Sequence, residues 1–121
     1  MPTVLIVDDS PTELHVFQKM LEKNGFETLL ATDGEEGLEK ARAERPDVVL
    51  MDVVMPGMNG FQATRRMTRS AETADIPVIM VTTKDQETDK IWGIRQGAAD
   101  YLVKPVSEKE LVAKINAVLA G

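Results

Sequence analysis

The chain has 121 residues, 43% of them hydrophobic and 28% charged, and this length and composition predict one globular domain covering residues 1–121. It contains no cysteine and a single histidine, which excludes disulfide scaffolds, thiolate zinc sites, cysteine nucleophiles and metal sites built from several histidines. The formal net charge of -6 and the lack of any long apolar run argue against nucleic-acid binding and membrane insertion, so we expect a cytoplasmic protein.

Short apolar runs recur along the chain, separated by segments with helical spacing. They lie at Val4–Val7, Thr28–Ala31, Val48–Met51, Val78–Val81 and Tyr101–Val103. Runs that are apolar at every position are typical of strands buried on both faces of a sheet. The sequence therefore predicts five buried strands, each followed by a helix.

Three of the helical segments begin with a serine or aspartate that is followed three residues later by glutamate, the pattern of a capping box. These are Ser10–Glu13, Asp33–Glu36 and Ser107–Glu110, and the first also has a proline at the first helical position. Two further helices, near Gly60–Arg69 and Asp85–Gln96, have weaker start signals. The sequence thus predicts five helices, three of them with defined starts.

The alternation of strands and helices predicts an α/β fold with a parallel sheet covered by helices. Crossovers between parallel strands are right-handed, and five units are too few for an eight-stranded barrel, so we predict a doubly wound open sheet. Ligands of such sheets bind beyond the carboxyl ends of the strands. The residues that follow each strand are therefore the candidates for a functional site.

Polar side chains occur at the carboxyl ends of four predicted strands. Asp8 and Asp9 follow the first strand, Asp52 the third, Thr82 the fourth and Lys104 the fifth. Each alone is more often a capping, loop or solvated residue, but their shared position predicts a site. Clustered carboxylates repel one another, which a hard cation such as Mg²⁺ relieves, and a lysine can bind a phosphoryl oxygen. An aspartate can itself be the nucleophile and form an acyl phosphate.

Over its whole length the chain resembles the receiver domains of two-component response regulators. The matching residues are Asp8–Asp9, Asp52 ahead of the segment MPGMNG, Thr82, Tyr101 and Lys104–Pro105. The resemblance implies a flavodoxin-like (βα)5 fold with strand order 2-1-3-4-5. A narrower resemblance, to single-domain regulators of type IV pilus twitching motility, is carried by VDDSPTE, MPGMNGFQATR and TTKDQETDKIWGIRQGAADYLVKPV.

The resemblance implies a phosphorylation site with a bound metal. Asp52 would accept a phosphoryl group from the phosphohistidine of a partner histidine kinase. Asp9, Asp52 and the backbone carbonyl of Val54 would bind Mg²⁺ directly, and Asp8 would act through a water molecule. Lys104 would bind a phosphoryl oxygen.

The resemblance also implies a switch. Thr82 would move towards the phosphoryl group, Tyr101 would then change rotamer, and the peptide bond before Pro105 would be cis. The output surface would be the face of helix 4, strand 5 and helix 5, roughly Asp85 to Ala120, and a downstream protein would bind it. We expect a monomer.

Three alternatives stay open. The chain could drain phosphate from a shared kinase instead of acting on an effector. It could be the receiver of a DNA-binding regulator, although its start at Met1 and its end at Gly121 favour a stand-alone receiver. An aspartate-nucleophile phosphohydrolase of the haloacid-dehalogenase type would require a second acid at the position of Val54.

Overall fold

Five strands and five helices alternate along the chain in the computed structural model, which describes residues 1–121. They are β1 (Thr3–Val7), α1 (Pro11–Lys23), β2 (Glu27–Ala31), α2 (Gly34–Glu44), β3 (Val48–Met51), α3 (Gly60–Arg69), β4 (Val78–Thr82), α4 (Glu87–Arg95), β5 (Asp100–Val103) and α5 (Glu108–Ala120). Every predicted element is present, with ends shifted by at most two residues. None of the helices combines the length and apolar character that crossing a membrane requires.

The strands form one parallel sheet in the order β2-β1-β3-β4-β5, which confirms the doubly wound topology. The winding direction reverses at β1, which pairs with β2 on one side and with β3 on the other. Val7 is the register partner of Met51, so both strands end at the same level. Asp8 and Asp52, which follow these two residues, therefore leave the sheet side by side.

The sheet separates two hydrophobic clusters, because alternate residues of each strand point to opposite faces. Leu5, Val49 and Met80 belong to the cluster that includes residues of α2 and α3. Ile6 and Leu50 belong to the other, which includes residues of α1 and α5. This double coverage makes the central strands a rigid support for the residues at their ends.

Burial is complete in the central strands and partial at the edges. Every residue of β3 and β4 is buried, whereas β2 and β5 each contain one buried residue. The prediction that all five strands are buried on both faces is therefore wrong for the two edge strands. An edge strand has a neighbouring strand on one side only, and the helices cover it incompletely.

The predicted helix starts are present at three N-caps. The backbone N–H three residues further on donates to the cap side chain at 3.3 Å for Ser10, 2.8 Å for Asp33 and 3.0 Å for Ser107. Each bond satisfies a donor that the first turn of a helix leaves free.

The predicted capping boxes are nevertheless incomplete, since none of the three glutamates bonds back to the N–H of its cap. In α1 the Ser10 N–H donates to the Asp8 carboxylate at 2.9 Å, and Glu13 instead contacts Lys104 at 3.1 Å. A complete box occurs where none was predicted, over Asn59–Gln62 at the start of α3.

Gly60, the first residue of α3, lies directly against the chain that follows β3. A Cβ atom at Gly60 would lie 2.0 Å from the carbonyl oxygen of Asp52 and 2.7 Å from the Cα of Val53. The Gly60 N–H also donates to the Val53 carbonyl at 2.9 Å. The start of α3 therefore fixes the backbone that carries Asp52.

We expect Gly60→Ala to lower the free energy of unfolding by about 2 kcal/mol or more, because two backbone segments must separate to admit the methyl group. Urea unfolding measures the loss. Gly34→Ala is the matched control, since Gly34 also begins a helix but its Cβ would meet only the flexible side chain of Met58 at 3.2 Å. The control should change stability by less than about 1 kcal/mol. Equal losses in the two variants would contradict this interpretation.

Candidate functional site

The Lys104 ammonium lies among three carboxylates at the carboxyl edge of the sheet. Its Nζ is 2.9 Å from Asp8 Oδ2, 3.1 Å from Glu13 Oε1 and 3.6 Å from Asp52 Oδ2. The lysine side chain is only 10% exposed, and its Nζ lies 5.7 Å from the centre of the Phe17 ring. Residues that directly follow β1 and β3, together with one residue of α1, thus hold one buried cation.

Three aspartates meet at the same edge. Carboxylate oxygens of Asp8, Asp9 and Asp52 lie within 4.8 Å of one another. Asp8 and Asp52 are buried and Asp9 is exposed. Asp52 Oδ1 accepts a hydrogen bond from the Val53 N–H at 2.7 Å, which leaves Oδ2 facing Lys104.

Thr82 and Tyr101 lie on the other side of Asp52 and are connected through the backbone of Lys84. The fully buried Thr82 hydroxyl accepts a hydrogen bond from the Lys84 N–H at 3.3 Å. The Tyr101 hydroxyl donates to the Lys84 carbonyl at 2.9 Å, and burial raises its pKa to about 12. The ring lies beside α4, where a Cβ on Gly93 would come within 2.9 Å of it. Tyr101 therefore connects the chain after β4 to α4.

The remaining predicted residues border this cluster. The peptide bond between Lys104 and Pro105 is cis. The Val54 N–H lies 3.4 Å from Asp52 Oδ1, and the Val54 side chain is 54% exposed. The structure thus brings the predicted site residues to one edge of the sheet. Tyr101 lies within β5, and its hydroxyl reaches the chain after β4.

Sequence reasoning missed Glu13, which it interpreted as half of a capping box. Glu13 lies one helical turn after Asp9, near the start of α1, and so at the same edge as Lys104. An acid at this spacing from the strand end was the available signal. The sequence pattern of a capping box gave Glu13 a different role and so hid its proximity to Lys104.

The electrostatics of the cluster are dominated by burial and by close charges. Burial raises the pKa of Asp52, as does the charge of Asp8, and the opposing effects of Lys104, Thr82 and Val53 do not cancel the rise. Ionising this buried carboxylate therefore costs free energy unless a further cation lies beside it.

Lys104 shows the opposite balance. Burial lowers the pKa of its ammonium. Four opposing effects outweigh burial and make the net shift upward: the hydrogen bond to Asp8, the charges of Asp52 and Asp8, and the contact with Glu13. The ammonium stays charged, yet Asp9 adds a fourth carboxylate to the cluster, and Lys104 is its one cation. The site retains an excess of negative charge.

The donor set fits Mg²⁺. This cation prefers carboxylate oxygens, and usually keeps several water molecules. Asp8, Asp9 and Asp52 supply such oxygens close together, and the exposure of Asp9 opens the cluster to solvent. A bound dication would also offset the charge excess that Lys104 leaves.

The sequence profile of the response regulator receiver domain matches residues 4–116. The chain belongs to this family. It is 65% identical to protein PilH of Pseudomonas aeruginosa over 121 residues, which cover 100% of both chains. It is 41% identical over 117 residues to the phosphate regulon transcriptional regulatory protein PhoB of the same species, covering 97% of this chain and 51% of PhoB.

A solved structure shows the same fold. The chemotaxis protein CheY4 of Vibrio cholerae is 35% identical, with a TM-score of 0.92 over 98% of each chain. Together these likenesses confirm the receiver fold, and the narrower of the two sequence resemblances is confirmed as a likeness to PilH. The chain spans the full length of PilH but about half the length of the transcriptional regulators that it matches. It is a signalling domain of the response regulators.

The raised pKa of Asp52 predicts a pH-dependent stability in the metal-free protein. The folded state binds the Asp52 proton more tightly than the unfolded chain does. The stability that this provides is present below the ordinary carboxyl pKa and is lost as pH rises through the folded value. With EDTA present, Asp52→Asn should therefore gain stability relative to the parent as pH rises from about 4 to 7.

Urea unfolding at several pH values measures this difference. Asp85→Asn, which changes an exposed carboxylate of the loop before α4, is the control for the loss of a carboxylate outside the buried cluster. If the stability of Asp52→Asn relative to the parent stays constant or falls as pH rises, the raised pKa of Asp52 is contradicted.

Magnesium should stabilise the folded protein, because the unfolded chain does not assemble the three carboxylates. At 100 times its dissociation constant the ion would add about 2.7 kcal/mol to the free energy of unfolding. Asp9→Ala should lose most of this response while leaving the core intact, since Asp9 is exposed. Thermal unfolding with and without MgCl2 tests this, with Asp85→Ala as the control. If MgCl2 leaves the melting temperature of the parent unchanged, the proposed magnesium site is excluded.

Proposed function

We propose that Asp52 accepts a phosphoryl group from the phosphohistidine of a partner histidine kinase, with Mg²⁺ as cofactor, and that this switches a protein-binding face. The observation that carries the proposal is the position of Asp52. Its carboxylate ends a fully buried strand, beside two further aspartates and a buried ammonium. The fold presents it rigidly, at the edge where ligands of doubly wound sheets bind.

The chemistry is a transfer between two nucleophiles. A bond forms between phosphorus and a carboxylate oxygen of Asp52 while the bond from phosphorus to the kinase histidine nitrogen breaks. Oδ2 is the candidate nucleophile, because Oδ1 accepts a hydrogen bond from Val53. Lys104, 3.6 Å from Oδ2, would contact a phosphoryl oxygen once the group is in place.

Metal binding would involve Asp9, Asp52 and the Val54 carbonyl, with Asp8 acting through water. The ion would supply positive charge to the phosphoryl oxygens and to the crowded carboxylates. The fit of the acidic cluster to Mg²⁺ and the family membership support this assignment.

The switch would begin at Thr82. Phosphorylation adds about two negative charges and new acceptor oxygens. The Thr82 hydroxyl, which accepts a hydrogen bond from Lys84, would turn to donate to a phosphoryl oxygen. Because Tyr101 bonds the same Lys84 backbone and lies against Gly93, a shift of Lys84 and a rotamer change of Tyr101 would reach α4.

The proposed output face comprises α4, β5 and α5. Helix α4 carries three exposed apolar side chains, Ile91 (48% exposed), Trp92 (47%) and Ile94 (50%), and buries only Gly93. Adjacent apolar side chains that face water are typical of protein-binding surfaces. A downstream protein that binds here would respond to the position of α4.

The setting that we propose is cytoplasmic control of type IV pilus twitching motility by a monomeric receiver domain spanning residues 1–121. The sequence resemblance described above and the 65% identity to PilH support it. The match to half of PhoB supports the alternative of a receiver joined to a DNA-binding domain. The match to PilH over the whole of both chains favours a single receiver domain acting in twitching motility.

The deciding experiment is phosphotransfer from a radiolabelled histidine kinase or from acetyl phosphate. The parent should acquire label in the presence of Mg²⁺, and Asp52→Asn should fold but acquire none, because it lacks the nucleophilic carboxylate. Asp85→Asn should label as the parent does. Full labelling of Asp52→Asn would refute the assignment of the phosphoacceptor.

A further inference from the structure

The three carboxylates around Lys104 hold its ammonium unequally. Asp8 accepts a hydrogen bond from Nζ at 2.9 Å, Glu13 forms an ion pair with it at 3.1 Å, and Asp52 stays at 3.6 Å. An ammonium has three N–H donors. Asp8 therefore accepts one of them, and Glu13 of α1 forms an ion pair with the same ammonium, before any phosphoryl group reaches Asp52.

The local structure of α1 explains why Glu13 is available for this contact. Its own N–H donates to Ser10 Oγ at 3.3 Å, and this bond fixes the first turn. The Ser10 N–H, which a capping-box glutamate would bind, is taken by Asp8 at 2.9 Å. The Glu13 carboxylate is thus left to turn towards Lys104.

Glu13 differs from Asp8 in its surroundings. The Asp8 side chain is 4% exposed and also caps Ser10, so its position is fixed. The Glu13 side chain is 36% exposed, and Lys104 is its ion-pair partner. A contact of this kind can be given up at low cost, since the carboxylate can return to water.

We propose that Glu13 is a positioning residue that competes with a phosphoryl group on Asp52 for the Lys104 ammonium. In the unphosphorylated protein it helps hold Nζ at 3.6 Å from Asp52, and it releases the ammonium when phosphoryl oxygens arrive. This inference rests on the proposed role of Asp52 as phosphoacceptor. Its consequence is that Glu13 weakens the binding of the phosphoryl group.

Competition and charge repulsion act in the same direction. Replacing the Glu13 carboxylate by an amide removes a negative charge close to the phosphoryl oxygens and leaves only a weaker, neutral acceptor for Lys104. The partial exposure of Glu13 screens both effects. We expect Glu13→Gln to tighten binding of a phosphoryl mimic by about threefold to fivefold.

The probe is the beryllium trifluoride anion, a tetrahedral phosphoryl mimic that attaches to a carboxylate oxygen. Its affinity is measured by ¹⁹F NMR titration at saturating Mg²⁺, after thermal unfolding has shown that each variant is folded. Glu110→Gln is the matched control. Glu110 occupies the same position in α5, with its N–H bonded to Ser107 Oγ at 3.0 Å, and forms no ion pair. This control should leave the affinity unchanged.

Glu13→Asp separates contact from charge, because aspartate keeps the negative charge but is one methylene too short for the 3.1 Å contact. Tightening in both Glu13→Asp and Glu13→Gln supports the proposal. Tightening in Glu13→Gln alone would assign the effect to charge and overturn it, as would unchanged or weaker binding in both. If the parent does not bind the probe, or Asp52→Asn binds it equally well, the proposed function itself fails.

Discussion

Negative charges held close together are the constraint on which this site depends. Because β1 pairs with β3 in register, Asp8 and Asp52 leave the sheet side by side, and Asp9 follows at once. Burying carboxylates in this way is unfavourable unless cations compensate them. Lys104 supplies part of that compensation, and a bound Mg²⁺ would supply the rest. The packed central strands hold the arrangement together.

The fold and the composition of the site were predictable from the sequence because their signals are local. The apolar run Val48–Met51 followed by Asp52 specifies both a buried strand and the residue at its end. Ser10, Asp33 and Ser107 specify helix starts through bonds that span three residues. Strand periodicity and caps depend on nearest neighbours, so one sequence suffices to find them.

What the sequence did not predict depends on contacts between distant segments. Glu13 contacts Lys104 and does not complete its own helix cap, because the Ser10 N–H donates to Asp8 instead. The partial exposure of β2 and β5 follows from strand order, which the alternation of elements alone does not determine. Such competition between partners is resolved only when the tertiary structure brings them together.

Helix α4 contributes little to the core of the fold. The helix buries only a glycine, so its outward side chains add little to the core, whereas the central strands are fully enclosed. Segments with few buried contacts open at low free-energy cost. Ile91, Trp92 and Ile94 could therefore be exchanged for other residues with the sheet and the acidic cluster unchanged. If α4 is the output face, the choice of partner can evolve at this one helix while the residues around Asp52 are retained.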